Sequence, residues 1–197
     1  MNNRLAILLP RTLRLLIICV VVTVATFDTV AHAQDSTGTR INRFVSGTGN
    51  LLYLGAGVIR PLLGGKPGTR ESLRVSDALV TSVALTEGLK LITREKRPDG
   101  SDDRDSFPSG HATAAFAVAT MEAHYHPKEA WYWYGGAALV AESRVGLHRH
   151  YIHDVIAGAA VGYFTAQWQL RSSRGLLLSP IIRPETGERG VALTVRY

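Results

Sequence analysis

Apolar and polar positions divide the chain into long runs separated by short glycine- and proline-bearing breaks. Asn50 to Leu63 is largely apolar and ends at Gly64-Gly65-Lys66-Pro67-Gly68, a combination that stops helices. Ser76 or Asp77 is placed to N-cap a helix running to about Arg94. On it Leu79, Val83, Thr86 and Lys90 recur at helical spacing and share a face. That helix should stop before Pro98, because the residue preceding a proline is pushed out of the helical region. Asp99 to Ser106 is a polar, acidic loop. Pro108-Ser109 then opens an alanine-rich helix from His111 to about His126, ended by Pro127. Residues 129–147 predict a further helix. Ile152 to about Arg171 predicts the last long one, in which Gly158, Ala159, Ala160 and Gly162 permit close helix approach.

The two ends break this pattern. Residues 34–49 are polar and glycine-containing and read as an exposed, flexible arm. Leu176–Ile182 and Val191–Tyr197 flank a Pro- and Gly-bearing turn, which predicts a short β-hairpin. The expected fold class is mainly α: a single helical bundle of about five to six helices with a short C-terminal β-hairpin. The expected division is 1–33 signal peptide, 34–49 arm, 50–175 helical domain and 176–197 hairpin tail.

The first 33 residues have their own logic. Arg4, Arg11 and Arg14 precede an apolar stretch, Leu15 to Phe27, that is short for a bilayer span, and Ala31-His32-Ala33 is a small-x-small cleavage site. The reading is a secretory signal peptide cleaved near Ala33, with an uncleaved anchor as the alternative. The implied address is extracytoplasmic, most simply periplasmic. Removing Arg4, Arg11, Arg14 and Asp28 lowers the net charge from +6 to +4. Beyond this segment the longest uncharged stretch, Val155–Leu170, carries Gln167 and Gln169, and the others are broken by Glu87, Glu122 or Glu142. None reaches the roughly 18–20 apolar residues that argue a span. A soluble or surface-bound bundle is expected, with membrane association left open by the small-residue helices.

At 197 residues, 46% hydrophobic and 19% charged, the chain suits one domain with a real core. The positive balance would suit nucleic acid, an anionic membrane or an anionic small substrate. The basic residues form no long run and are not interleaved with aromatics, which argues against nucleic acid. The single cysteine, Cys19, lies in the leader, so neither a disulfide framework nor a cysteine zinc site can form.

Candidate chemistry gathers in three clusters: KLITREKRP at 90–98, PSGH at 108–111 and SRVGLHRHYIHD at 143–154. A phosphoryl group in transfer spreads negative charge over its oxygens, so catalysis needs fixed donors around them. Arg97 and Arg144 can each offer a planar fork and Lys90 a point charge. Lys90 and Arg97 are two turns apart if the helix reaches that far, whereas Arg94 and Lys96 read as solvated surface cations. Ser109 and Gly110 at a helix start supply backbone N–H groups and a hydroxyl to an anion. His111, on the first turn, can serve as general acid. His150 and Asp154, at i and i+4, share a helix face. Asp154 can then accept the Nδ1 proton and leave Nε2 free to attack phosphorus. His148 and His153 have no acid four residues on. The alternative for this stretch is a metal-binding histidine cluster, with His124 and His126 as further ligands.

Together these clusters resemble the signature of the type-2 phosphatidic acid phosphatase and vanadium haloperoxidase superfamily: K-x6-R-P, then P-S-G-H, then S-R-x5-H-x3-D. It stands here as Lys90…Arg97-Pro98, Pro108-Ser109-Gly110-His111 and Ser143-Arg144…His150…Asp154. The resemblance implies a helical bundle over about 50–171. It implies His150 as the nucleophile that forms a phosphohistidine, Asp154 as its orienter and His111 as general acid. Lys90, Arg97, Ser109, Gly110 and Arg144 would bind phosphate, with no cofactor or metal in the phosphatases. The expected activity is extracytoplasmic hydrolysis of phosphate monoesters or lipid (pyro)phosphates. The partner is a phosphorylated small molecule or lipid and not nucleic acid, and oligomeric state is unread. Three alternatives stand beside it. One is a membrane-associated lipid phosphatase acting on phosphatidic acid, phosphatidylglycerol phosphate or undecaprenyl pyrophosphate. The others are a vanadate-dependent haloperoxidase and a non-catalytic phosphate-binding envelope module.

Overall fold

The computed structural model describes residues 36–64, 66–172, 178–182 and 189–193. The proposed leader and its cleavage site lie outside the described residues. The chain is mainly helical: α1 (Thr37–Phe44), α2 (Asn50–Ile59), α3 (Lys66–Thr93), α4 (Gly110–Tyr125), α5 (Ala130–Gly146) and α6 (Ile152–Arg171).

Helix α4 is the axis. Ala112, Ala115, Ala117, Val118, Ala119 and Met121 are fully buried along it, and α2, α3, α5 and α6 pack around it. Alanine suits that position, since its small side chain lets neighbours approach from several sides. Helix α6 comes closest. A Cβ at Gly162 would collide with backbone atoms of Thr113 and Ala117, and one at Gly158 with the Ser109 carbonyl. The expected small-residue contact therefore runs along the α4–α6 seam. On the other side Tyr53 of α2 donates to the Trp133 carbonyl at 2.8 Å and meets the Trp133 ring edge-on at 5.3 Å. Arg74, near the start of α3, donates to the carbonyls of Gln169 and Ser172 at the end of α6. It thereby satisfies acceptors that a helix C-terminus leaves open.

The boundaries of α5 and α6 fall within a residue or two of expectation, and α3 does not. It begins at Lys66 rather than near Ser76. Pro67 falls in its first turn, where a proline is tolerated because its missing N–H has no partner to lose. Gly68 then lies against the Pro61 carbonyl, where any Cβ would clash. The helix closes at Thr93, and Arg94 takes the left-handed conformation with φ 48°.

The segment expected as a flexible arm is also different. Residues 37–44 form α1, with Ser36 accepting from the Thr39 N–H at its start, and Val45–Gly49 continue as a π-helical turn into α2. Polar composition hid a docked helix. The absence of Cβ at Gly146 makes room for Asn42, and Ser46 is buried. Beyond the bundle, Leu178–Ile182 pairs antiparallel with Arg189–Leu193, Leu178 opposite Leu193. The remainder of the expected strands, 176–177 and 194–197, lies outside the described residues.

At the far end of α4 from the site, Glu122 is fully buried. Arg60 bridges it to Glu129, at 3.2 and 2.7 Å. Burial pushes the Glu122 carboxyl up to about 7, against the opposing pull of Arg60.

Candidate active site

A cavity of about 320 Å³ opens at the amino end of α4. Its wall includes Lys90 from α3, Arg97 from the following loop, Gly110 and His111 from α4, Arg144 from α5 and His150 from the α5–α6 loop. Three separate sequence clusters thus meet in one place, because the ends of three helices meet there. Ser109 is the N-cap of α4, fully buried, and its Oγ has no hydrogen-bond partner. Its N–H is taken by the Asp154 carbonyl at 3.0 Å. The unpaired amides of the helix start are therefore those from Gly110 onward. A Cβ at Gly110 would stand 3.7 Å from Lys90 Nζ, and its absence leaves that space to the cavity.

Lys90 and Arg97 do not share a helix face, since α3 ends between them. Arg97 returns through the loop 94–105, where Asp105 holds its fork at 2.6 and 2.7 Å. The Arg97 guanidinium is thereby raised further in pKa and the Asp105 carboxyl lowered. Lys90 is paired with Glu87 at 3.0 Å. Arg144 is the most secluded cation, 9% exposed, with Nη1 on Ser46 Oγ. Burial, with Arg149 and Arg97 nearby, lowers it to about 10. Arg94 and Lys96 are exposed, Lys96 against Asp102, as expected of surface cations.

His150 is almost fully buried. Its Nδ1 lies 2.7 Å from the Ser106 carbonyl and 3.4 Å from Asp154 Oδ2. The carbonyl can only accept, so Nδ1 carries the proton and Nε2 is the free nitrogen. Sequence reasoning gave that task to Asp154. Asp154 is engaged elsewhere: as the third residue of α6 its Oδ2 accepts from the Tyr151 N–H at 2.9 Å and from Ser106 Oγ at 2.6 Å. Ser106, which no motif marks, therefore holds both members of the pair, one through its carbonyl and one through its hydroxyl. The only sequence signal was its position beside Pro108-Ser109, at the end of the acidic loop.

Both histidines sit in a positive field. Burial, then Arg144 and Arg97, lowers His150 to about 4, against the opposing effect of Asp154. Burial, then Arg144, His150 and Lys90, lowers His111 to about 3, opposed by a backbone hydrogen bond to Ser46. Both are thereby neutral near pH 7. A bound phosphate dianion would offset those cations and raise both.

Of the rival histidines, His148 is exposed with φ 53°. His153 lies outside the cavity wall, 2.8 Å from Glu95 and 3.1 Å from Asp154 Oδ1. Glu95, His153 and Asp154 are the one group of three potential metal donors among the described residues. Of the alternative metal cluster in the 148–154 stretch, His153 and Asp154 stand in this group, and His148, His150, His124 and His126 do not.

Fold and site together define a helical bundle with a basic, histidine-bearing cavity suited to an oxyanion. The chain belongs to the PAP2 superfamily, whose pattern matches residues 73–176. It is 39% identical over 101 residues to lipid A 1-phosphatase of Porphyromonas gingivalis, covering 47% of this chain and 22% of that protein. It is 37% identical over 62 residues to the bacitracin transport permease protein BcrC of Bacillus licheniformis, covering 32% and 30%. The chain thus spans less than a third of either relative. Among solved structures, Aquifex aeolicus LpxE superposes with a TM-score of 0.52 at 18% identity, over 73% of this chain and all of that one, which is a likeness of fold.

Proposed function

We propose that the protein is a phosphatase that removes phosphate from lipid phosphates through a phosphohistidine at His150, on the extracytoplasmic side of a membrane. The observation that carries the reading is the Ser106-held imidazole facing three cations across one cavity. Lys90, Arg97, Arg144 and the α4 amides would hold the phosphoryl oxygens. Nε2 of neutral His150 forms a bond to phosphorus as the P–O bond to the leaving group breaks, and His111 gives its proton to the departing oxygen. In the second half His111 takes a proton from water, water bonds to phosphorus and the P–N bond breaks. His111 must be protonated in the first half, and the incoming phosphate supplies the field that raises it. Asp154, behind His150, offsets the positive charge of the phosphorylated ring.

A lipid substrate is favoured over a soluble ester by the outer surface. Ile152, Ile156, Phe164 and Trp168 are exposed along α6. Leu85 and Leu89 of α3 join Phe164 and Trp168 in a groove of about 420 Å³. Exposed apolar area of this extent marks an interaction surface. No helix among the described residues is long and apolar enough to cross a membrane. The name of the Porphyromonas relative points the same way.

The test compares wild type and His150→Ala on an aryl phosphate and on phosphatidic acid in vesicles, with chelator present. Wild type should turn over both and label with phosphate at a histidine, favouring the lipid. The variant should lose at least about 10³-fold and fail to label. Equal rates in the two proteins would sink the assignment, and a preference for the aryl ester would return the reading to a soluble-substrate phosphatase.

A further inference from the structure

The amino-terminal segment reaches the cavity although it lies outside both the motifs and the matched residues 73–176. Ser46 anchors it through Arg144, and one turn later Asn50 opens α2 and lines the cavity beside His111 and Arg144. Asn50 is 8% exposed, and its Oδ1 is buried with no hydrogen-bond partner. A buried amide oxygen left without a donor is costly, so its persistence points to a ligand that supplies one.

The cavity narrows what that ligand atom is. Phosphate oxygens are acceptors and belong with Lys90, Arg97 and Arg144. Val83 and Ala114 are apolar, and the carboxylate in the wall, Glu87, has Oε1 on Lys90 at 3.0 Å. Asn50, which shares the cavity wall with His111, then carries an acceptor that nothing in the protein engages. We propose that Asn50 is a specificity residue that accepts a hydrogen bond from an O–H or N–H on the carbon adjacent to the one that bears the ester oxygen, so that the site prefers phosphate esters carrying such a neighbouring donor. This rests on the phosphatase reading above. A site built to bond a substrate hydroxyl discriminates strongly against the analogue lacking it, because its own polar group is left unpaired.

Two probes isolate the effect: 2-hydroxydodecyl phosphate and dodecyl phosphate, which differ by one hydroxyl. Wild type should favour the hydroxylated ester by at least about tenfold in kcat/KM. In Asn50→Ala and Asn50→Leu that ratio should fall to about one, chiefly through the hydroxylated ester. Asn50→Asp, which keeps an acceptor in place, should retain the ratio at a lower absolute rate. Circular dichroism and thermal unfolding report whether each variant folds. A wild-type ratio near one overturns the proposal and leaves the phosphatase reading standing. So does a proportional loss on both esters in the variants, which would mean that the amide holds the phosphate. If wild type hydrolyses neither ester and forms no phosphoenzyme, the phosphatase reading falls and takes the proposal with it.

Discussion

Ser106 shows why single residues of this site were unevenly legible. Lys90, Arg97, His111, Arg144 and His150 carry side chains whose chemistry announces itself, and all five reach the cavity. Ser106 acts half through a backbone carbonyl, which every residue has and no sequence displays. Ser46 lies in a polar stretch and Asn50 heads an apolar one, with no motif around either. Removing the Ser106 hydroxyl tests its share. Ser106→Ala keeps the carbonyl on His150 but takes a 2.6 Å hydrogen bond from a buried carboxylate. Such a bond contributes about 1.5–3 kcal/mol. The expected result is a fall of about 10- to 100-fold in kcat with KM little changed, since Asp154 answers to the charge on His150 and not to bound substrate. Steady-state kinetics on the aryl ester would check it, and a change confined to KM would contradict it.

At the scale of elements, periodicity placed α4, α5 and α6 well because each is bounded by a strong local signal: Pro108-Ser109 and Pro127 around α4, Leu147 to Tyr151 between α5 and α6. It failed where two signals overlapped. Gly64-Gly65 and Pro67 read as one stop, yet a helical turn runs as far as Gly64 and the proline sits in the first turn of the next helix. The glycines within α6 were read correctly as contact points, and the contact is severe enough to measure. Gly162→Ala places a methyl against the backbone of Thr113 and Ala117, which cannot swing aside as a side chain can. Overpacking of this kind costs about 1–3 kcal/mol. The variant should unfold several degrees below wild type, and Gly135→Ala, where a Cβ meets nothing within 4 Å, should not. A Gly162→Ala melting point equal to wild type would mean that α6 is not seated as described.

For the whole molecule, the two ends of α4 respond to pH in opposite senses. At the active-site end the histidines are held below their ordinary 6.5, to about 4 and about 3. Their contribution to stability is present above pH 6.5 and lost as pH falls toward those values. At the other end the Glu122 carboxyl is raised from 4.5 to about 7. Its contribution is complete below pH 4.5 and lost as pH rises through 7. Glu122→Gln should therefore gain on wild type as pH climbs from 5 to 8, seen as a widening difference between their thermal midpoints. A difference independent of pH would show that Arg60 keeps the carboxylate charged throughout. Neither response was visible in the sequence, where Glu122 read only as an interruption of an apolar run; α2 lies close over it at Gly57.

The π-helical turn at Val45–Gly49 makes chain length, rather than composition, the sensitive quantity at the edge of the site. Such a turn holds one residue more than the α-helical turn it replaces. Deleting one residue among Gly47, Thr48 and Gly49 would let the helix run on regularly, and everything before the deletion would rotate by about 100° around the axis. Ser46 would then swing off Arg144 and Asn42 off Gly146. Point changes in VSGTG leave that phase intact, whereas a one-residue loss moves a whole wall of the cavity. Insertions and deletions are thus barred from a stretch that otherwise has the composition of a tolerant linker.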